Sequence, residues 1–232
     1  MKCLEASSLK AFLFDMDGVL FDSMPNHAYS WTRAVEPFGL HLSREEVYMN
    51  EGRTGGGTIN ALMQRTFGRE ATEEECQQIY KYKSELFNTC PIAPPMPGAL
   101  EVLNKVRERG LLPVIVTGSG QRSLLDRLNR HFPGIFKPDL MVTAFDVKLG
   151  KPYPEPYLKG LAKAGAVLNA DGSPLRPEEA VVVENAPLGV QAAKAAGIYT
   201  IAVNTGPLAD QVLLNAGADV VLPSMEALSL NI

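Results

Sequence analysis

Two aspartates stand one residue apart, directly after an apolar run near the start of the chain. The run "AFLF" (residues 11–14) is typical of a buried strand, and Asp15 and Asp17 follow it in "DMD". Two carboxylates at the edge of a core are costly to desolvate unless a positive charge lies on them. A hard cation such as Mg²⁺, which prefers oxygen ligands, would supply that charge. The pair therefore indicates a cation site.

Other side chains suited to chemistry follow other apolar strands. They are Thr117, Gly118 and Ser119 after "LPVIV", Glu184 and Asn185 at the end of "AVVVEN", and Lys151 in the loop after "LMVTA". In an open sheet of parallel strands, ligands bind beyond the carboxyl ends of the strands. We therefore expect all these side chains to meet the two aspartates at one edge of a sheet.

This set of residue types suits phosphoryl transfer. Oxygen atoms of Asp15, Asp17 and Asn185 match the preference of Mg²⁺, and residues 117–119 precede a predicted helix, whose N-terminus favours a phosphate. Lys151 can neutralise charge on the transferred group. One aspartate can attack phosphorus while the other moves the proton of the leaving group. Each feature alone has an ordinary explanation as a turn or a helix cap, but their coincidence at four strand ends favours a function.

Composition narrows the class of protein. The chain has 232 residues, 46% hydrophobic and 21% charged, with a formal net charge of −4, which is typical of a globular protein without the basic excess of nucleic-acid binders. No apolar run approaches the roughly 20 residues of a membrane span, and the first ten residues lack the apolar core of a secretory signal. Cys3, Cys76 and Cys90 fit neither a zinc site nor a disulfide framework. We therefore expect a cytoplasmic monomer with reduced thiols and no nucleic acid or membrane partner.

The order of predicted elements indicates an α/β fold. From about residue 97 onward, apolar strands alternate with helices, which predicts a doubly wound parallel sheet of about six strands, covered on both faces. Residues 24–90 contain helical patterns only, including "TEEECQQIYKYKSELF" with Thr72 as its N-cap, and end in the proline-rich "CPIAPPMPG". We therefore predict a core α/β domain formed by residues 1–23 and 91–232, with an all-helical domain, 24–90, inserted in it.

Four segments resemble the signature motifs of the haloacid dehalogenase superfamily. They are, in order, "FDMDGVLFDS", "VTGSG", "GKPYPEPY" and "VVVENAPLGVQAAKAAGI". The resemblance covers essentially the whole chain and is strongest to the branch that contains β-phosphoglucomutase and related small phosphatases. It implies a Rossmann-like core and a helical cap domain that closes over the substrate and excludes water.

The resemblance also implies a role for each matched residue. Asp15 would be the nucleophile, and Asp17 would be the general acid and base and would give its backbone carbonyl to the metal. Thr117 and Lys151 would hold the phosphoryl group, beside the substrate contacts at 118–119. The metal site would consist of Asp15, Asp17, Asn185 and Glu184.

The fourth motif departs from the usual pattern of that superfamily. Asn185 stands where the superfamily usually has a second acid. The neutral amide removes one negative charge, so we expect weaker Mg²⁺ binding. Glu184 would compensate for the lost charge by interacting with the metal ligands.

A second departure lies in the predicted cap, in the loop "YMNEGRTGGGT". Sugar-phosphate mutases of this branch carry a lysine near Glu51 and an arginine after it, which grip a second phosphate. Here Arg53 is in the position of that arginine, but Glu51 places a negative charge where the mutases have a positive one. This negative charge repels a bare phosphate dianion. The carboxylate becomes useful if the substrate arrives with its own Mg²⁺, as inorganic pyrophosphate does. The alternative is that Glu51 only caps the loop or pairs with Arg53.

Two further features of the sequence bear on the function. The segments "NEGRTG", "DSMPNH" and "ENAPLGV" resemble a subgroup of the branch that hydrolyses inorganic pyrophosphate. In the branch, a histidine at the position of His27 lies near the acid/base aspartate. A packed helix face is the alternative explanation for His27.

The expected function is hydrolysis of a small phosphorylated substrate, with Mg²⁺ as cofactor and an aspartyl phosphate as intermediate. Inorganic pyrophosphate is the preferred substrate. β-Phosphoglucomutase activity, converting β-glucose 1-phosphate to glucose 6-phosphate, is the first alternative, and a general sugar or nucleotide monophosphatase is the second. An inactive phosphate-binding module is the alternative outside the enzymes, and the presence of Asp15, Asp17, Thr117 and Lys151 argues against it.

Overall fold

The computed structural model of the chain describes residues 8–120 and 124–232, so the prediction for Cys3 lies outside the described residues. Its centre is one sheet of six parallel strands in the order β3-β2-β1-β4-β5-β6. The strands are β1 (Ala11–Phe14), β2 (Leu112–Val116), β3 (Met141–Val142), β4 (Ala180–Glu184), β5 (Tyr199–Val203) and β6 (Val220–Leu222). The predicted doubly wound parallel sheet is confirmed. β3 is shorter than the "LMVTA" pattern because residue 140 ends a 3₁₀ turn and residue 143 turns to bond Asp146.

Apolar packing on both faces of the sheet explains why β1 is apolar throughout. Phe12 and Phe14 of β1 are fully buried in the cluster on one face, and Leu13 is fully buried in the cluster on the other. Alternate residues of a strand point to opposite faces, so a strand covered on both faces must be apolar throughout. The sheet therefore holds its strand ends on a rigid platform.

Ten α-helices lie among the described residues. They are α1 (Met24–Val35), α2 (Arg44–Met49), α3 (Gly55–Phe67), α4 (Glu73–Asn88), α5 (Ala99–Glu108), α6 (Leu124–His131), α7 (Glu155–Leu168), α8 (Pro187–Ala195), α9 (Asp210–Asn215) and α10 (Met225–Ser229). Short 3₁₀ helices lie at 36–38, 138–140 and 177–179. Within the described ranges, no helix combines the length and the apolar character that crossing a membrane requires.

Residues 24–90, which we call the cap segment, contain α1–α4 and no strand, and all of them are described. Thr72 caps α4 as predicted, because its side chain accepts a hydrogen bond from the Glu75 amide while the Glu75 carboxylate accepts one from the Thr72 amide. The apolar cluster of the cap segment includes Leu208, from the loop after β5. The cap segment therefore packs directly against the carboxyl-end loops of the sheet, and its status as a separate domain stays a prediction.

Candidate active site

The site lies where three neighbouring strands end. Phe14, the last residue of β1, is level with Ile115 of β2 on one side and Val183 of β4 on the other. Asp15 directly follows β1, and Glu184 is the last residue of β4. The sheet order therefore brings together the predicted residues of the first, second and fourth motifs.

Lys151 is buried between two carboxylates. Its Nζ lies 2.5 Å from Asp15 Oδ1 and 2.5 Å from Glu184 Oε1, and the residue is only 2% exposed. Burial alone would lower the pKa of Lys151, but Asp15, Glu184 and Glu51 raise it above its ordinary value. The lysine is therefore held in its charged form at the end of β1.

The Asp15 carboxyl is electrostatically strained in the absence of a cation. Burial is the main cause that raises its pKa to about 8; the ion pair with Lys151 offsets this only in part, and Glu184 and Asp17 raise it further. An added positive charge would favour the carboxylate form. The chemistry of the site therefore calls for a cation in addition to Lys151.

Three buried oxygen atoms of this site have no hydrogen-bond donor within residues 8–120 and 124–232: Asp15 Oδ2, Glu51 Oε2 and Asn185 Oδ1. Carboxylate oxygens of Asp15, Glu51 and Glu184 also lie within 4.8 Å of one another. Buried acceptors without partners are costly, and a hard cation with oxygen ligands satisfies several of them at once. The residues present therefore fit Mg²⁺.

Asp17 faces the cap segment rather than this acidic cluster. Its Oδ1 accepts a hydrogen bond from Ser23 Oγ at 2.5 Å and lies 3.4 Å from His27 Nε2. Burial alone would raise the pKa of Asp17, but His27, Ser23 and Arg127 together lower it well below its ordinary value. The predicted proximity of His27 to Asp17 is present. A metal contact of Asp17 would have to use its backbone carbonyl, as the resemblance implies.

His27 joins Asp17 to a buried lysine of α4. Lys83 Nζ lies 3.1 Å from His27 Nδ1, and since an ammonium only donates, Nδ1 accepts and the Nε2 proton faces Asp17. Burial, followed by the charge of Lys83, lowers the pKa of His27. Burial also lowers the pKa of Lys83 to about 8. The resulting line from Lys83 through His27 to Asp17 connects the cap segment to the sheet.

The loop between α2 and α3 brings Glu51 to the strand ends. Burial is the first cause that raises the pKa of Glu51 well above its ordinary value, followed by Asp15 and Glu184. Among the described residues no ion pair joins Glu51 to Arg53, so the alternative of a simple pairing between them is not what the structure has. Arg53 is half-buried, and its buried Nε has no hydrogen-bond partner in the described ranges.

Residues 117–119 lie under the same loop. A Cβ on Gly118 would lie 2.7 Å from the carbonyl oxygen of Gly52, so a glycine is required for this approach. Thr117 is buried, and its Oγ1 accepts a hydrogen bond from the Ser119 amide at 3.1 Å. The predicted helix start beyond this segment lies outside the described residues, since α6 is described from Leu124 onward.

A cavity of about 60 Å³ separates the cap segment from the strand ends. Its lining includes Asp17, His27, Glu51, Arg53, Lys83 and Ser119. Most of its polar lining, including Glu51, Arg53 and Lys83, therefore comes from the cap segment.

Sequence reasoning missed Ser23, Lys83 and Tyr157. Ser23 bonds Asp17, Lys83 bonds His27, and the Tyr157 hydroxyl donates to Glu184 Oε1 at 2.6 Å. Tyr157 stands within the third motif, six residues after Lys151, and that position was a usable signal. Lys83 gave none, because a lysine on an amphipathic helix is usually solvated.

Comparison with known proteins identifies the family of the chain. Residues 9–197 match the family model described as haloacid dehalogenase-like hydrolase. Hexitol phosphatase A of Escherichia coli is 34% identical over 220 residues, covering 95% of this chain and 93% of that protein. A phosphorylated carbohydrates phosphatase of Thermotoga maritima is 32% identical over 229 residues, covering 95% of this chain and 97% of that protein.

A solved structure is more similar still. It is that of a Bacteroides vulgatus protein provisionally described as a β-phosphoglucomutase, with 62% identity and a TM-score of 0.90, covering 96% of this chain and 87% of that one. A hydrolase from Pseudomonas syringae, at 24% identity and a TM-score of 0.82, shares the fold.

Proposed function

Since this chain belongs to the haloacid dehalogenase-like hydrolase family, we propose that it is a Mg²⁺-dependent phosphohydrolase that works through an aspartyl phosphate on Asp15. Inorganic pyrophosphate is the proposed substrate. The observation that carries the proposal is the state of Asp15: one carboxylate oxygen is fixed by Lys151, and the other is buried without a donor from the described part of the chain. A carboxylate held in this way is ready to meet an electrophile or a cation.

Asp15 and Asn185, whose buried oxygen atoms have no donor among the described residues, would hold the Mg²⁺ ion together with the backbone carbonyl of Asp17. Bound there, the ion would offset negative charge on the phosphoryl group and on the carboxylates. Glu184 contributes through Lys151 instead of competing for the ion.

The reaction would then proceed in two chemical steps, in which different residues act. In the first, an Asp15 oxygen forms a bond to phosphorus while the bond from phosphorus to the leaving group breaks, and Lys151 neutralises charge on the transferred group. In the second, Asp17 takes a proton from water as the water oxygen bonds to phosphorus. The bond between phosphorus and Asp15 breaks, which restores the carboxylate and releases phosphate.

The surroundings of Asp17 favour a leaving group that departs easily. Ser23 and His27 both donate toward its carboxylate, which stabilises the charged form. A carboxylate suits the base needed in the second step and is a poor acid for the first. A departing phosphate is a much weaker base than a sugar alkoxide, so it needs little protonation, whereas a sugar alcohol needs a full proton. This difference favours a phosphoanhydride over a sugar ester.

Glu51 supports the same choice. A buried carboxylate with no arginine partner in the described ranges would repel a bare sugar phosphate, but it can share a cation carried by pyrophosphate.

Hydrolysis of sugar phosphates is the second candidate, and the names of the relatives favour it. Two relatives are named as phosphatases of hexitols or phosphorylated carbohydrates, and the 62% identical structure carries the β-phosphoglucomutase description. Mutase activity requires a sugar intermediate with two phosphates to reorient within the closed site. The charge of Glu51 would repel the second phosphate of that intermediate.

A phosphate-release assay with Mg²⁺ tests the proposal. Pyrophosphate is compared with hexose phosphates, hexitol phosphates and nucleotides, and Asp15→Asn serves as the inactive control. We expect a preference for pyrophosphate of at least about 100-fold, equal to about 2.7 kcal/mol of transition-state stabilisation. Equal rates on sugar esters would support the second candidate. Conversion of β-glucose 1-phosphate to glucose 6-phosphate would identify a mutase, and phosphate binding without turnover would identify an inactive module.

A further inference from the structure

We infer that Tyr157 is a positioning residue, which fixes the Glu184 carboxylate so that Lys151 stays beside Asp15. The inference deepens the proposed function and rests on it. Tyr157 lies on α7, has no exposed surface and touches neither the cavity nor Asp15 through any hydrogen bond among the described residues. Its hydroxyl donates to Glu184 Oε1 at 2.6 Å.

Glu184 is fully hydrogen bonded. Its Oε1 accepts from Lys151 at 2.5 Å and from Tyr157 at 2.6 Å, and its Oε2 accepts from the backbone amides of Asn185 and Ala186 at 3.0 and 3.3 Å. A carboxylate offers about four lone-pair sites, so these four donors use them all. Although its oxygens lie near those of Asp15 and Glu51, Glu184 has no lone pair left for a cation.

Helix α8 closes the remaining side of this carboxylate. A Cβ at Gly189 would lie 1.8 Å from Glu184 Oε1, so the carboxylate fits only because this residue is a glycine. The Tyr157 hydroxyl donates its hydrogen bond to the same oxygen. Rotation of the carboxylate is therefore blocked by the α8 backbone, and its bonding pattern is set by the hydroxyl.

The fixed Glu184 carboxylate determines the position of the Lys151 ammonium. Its Nζ has three protons, of which one is directed to Asp15 and one to Glu184. The third remains for a phosphoryl oxygen. If the Tyr157 hydroxyl is removed, Lys151 becomes the only donor on Oε1. We expect Glu184 then to draw the ammonium away from Asp15.

Tyr157→Phe tests the inference, because it removes the hydroxyl and keeps the buried ring. We expect kcat with pyrophosphate to fall by about 10-fold to 100-fold, as is usual when a partner of a catalytic group is lost, while KM changes less. The melting temperature measures folding in the same samples. Tyr48→Phe is the matched control, since Tyr48 is also buried and, in the described parts of the chain, its hydroxyl has no hydrogen bond. We expect this control to keep the wild-type kcat.

A double-mutant cycle shows whether the effect passes through Glu184. If it does, Tyr157→Phe combined with Glu184→Gln loses no more kcat than Glu184→Gln alone. Additive losses would overturn the inference. So would a Tyr157→Phe kcat equal to that of the wild type, or a loss that disappears after correction for the folded fraction.

A spectroscopic measurement separates this inference from the proposed function. The ¹H–¹⁵N signal of the buried Lys151 ammonium is identified by its absence in Lys151→Arg, and we expect it to shift in Tyr157→Phe and not in Tyr48→Phe. An unshifted signal overturns the positioning role. If the wild type hydrolyses no phosphate compound while the signal shifts, the proposed function fails and the positioning role stands. If Glu184→Gln does not fold, the spectroscopic comparison decides.

Discussion

The ammonium nitrogen of Lys83 lies 3.1 Å from Nδ1 of His27 and is held there without a carboxylate partner among the described residues. The opposite nitrogen of the same imidazole lies 3.4 Å from Asp17. One ring thus transmits the charge and position of a cap-segment lysine to a carboxylate at the end of β1. This relationship couples the stability of the cap segment to the chemistry of the site.

Lys83→Met should make the protein more stable near neutral pH. Burial lowers the pKa of Lys83 from 10.5 to about 8, so between these values the unfolded chain binds a proton that the folded protein does not, and stability rises with pH. Below pH 8 the buried charge costs folding free energy. We expect a gain of roughly 2 kcal/mol in the free energy of unfolding at pH 7, which shrinks as the pH approaches 10. Chemical denaturation across this range measures it.

Lys81→Met is the control for that measurement, because the Lys81 side chain is 78% exposed. We expect it to leave stability unchanged. A gain in Lys83→Met that grows with pH would contradict the prediction. We also expect Lys83→Met to lower kcat, since His27 loses the donor on Nδ1 and with it a fixed orientation toward Asp17.

Ser23→Ala should move the acidic limb of the rate profile to higher pH. The Ser23 hydroxyl donates to Asp17 at 2.5 Å and helps to lower the pKa of that carboxyl. Without this donor the carboxylate form is less favoured, so a higher pH is needed before Asp17 can accept a proton from water. The pH dependence of kcat/KM measures the shift. Ser84→Ala, which removes a hydroxyl bonded only to its own helix, should leave the limb in place.

Glu51→Ala should impair pyrophosphate hydrolysis far more than hydrolysis of a simple aryl phosphate. Glu51 Oε2 has no partner among the residues that the structure describes and lies beside Asp15, where a substrate that brings a metal ion can use it. We expect a loss of about 100-fold in kcat/KM for pyrophosphate and less than about 3-fold for the aryl phosphate. Glu45→Ala, on the exposed face of α2, is the control. Equal losses on both substrates would mean that Glu51 is structural.

Substitution of Asn185 should change Mg²⁺ affinity in two directions. Asn185→Asp restores a negative charge among the candidate oxygen ligands and should tighten binding, whereas Asn185→Ala removes a buried acceptor and should weaken it. Melting temperatures recorded over a Mg²⁺ titration report the affinity, since a ligand at about 100 times its Kd stabilises the protein by about 2.7 kcal/mol. Identical titration midpoints in both variants would argue against Asn185 as a ligand.

Much of the site was predictable because parallel strands end at one edge. Asp15, Thr117 and Glu184 are far apart in the sequence, yet the apolar strands before them and the sheet order decide that they meet. The same reasoning reached Lys151 through its motif and correctly expected it at this edge. These predictions rest on backbone topology, which the pattern of apolar residues encodes directly.

The contacts made by the cap segment were harder to predict. Lys81 and Lys83 stand two residues apart on one helix, but one is largely exposed and the other is buried against His27. Helix periodicity places them on different faces without saying which face meets the sheet. Tyr157 was missed for a related reason, since a tyrosine on the apolar side of α7 has the appearance of ordinary core until its hydroxyl is seen on Glu184.

The short loop between α2 and α3 has a consequence for how substrate preference can change between related proteins. The groups beside the phosphoryl position, Asp15 and Lys151, belong to the sheet edge, whereas Glu51 and Arg53 lie within five residues of connecting chain. The backbone of that loop approaches the edge at Gly118, and the Glu51 carboxylate lies among the acidic oxygens of the edge. Because Asp15 and Lys151 are held by the sheet edge and not by this loop, substitutions in the loop offer a route to a changed substrate preference.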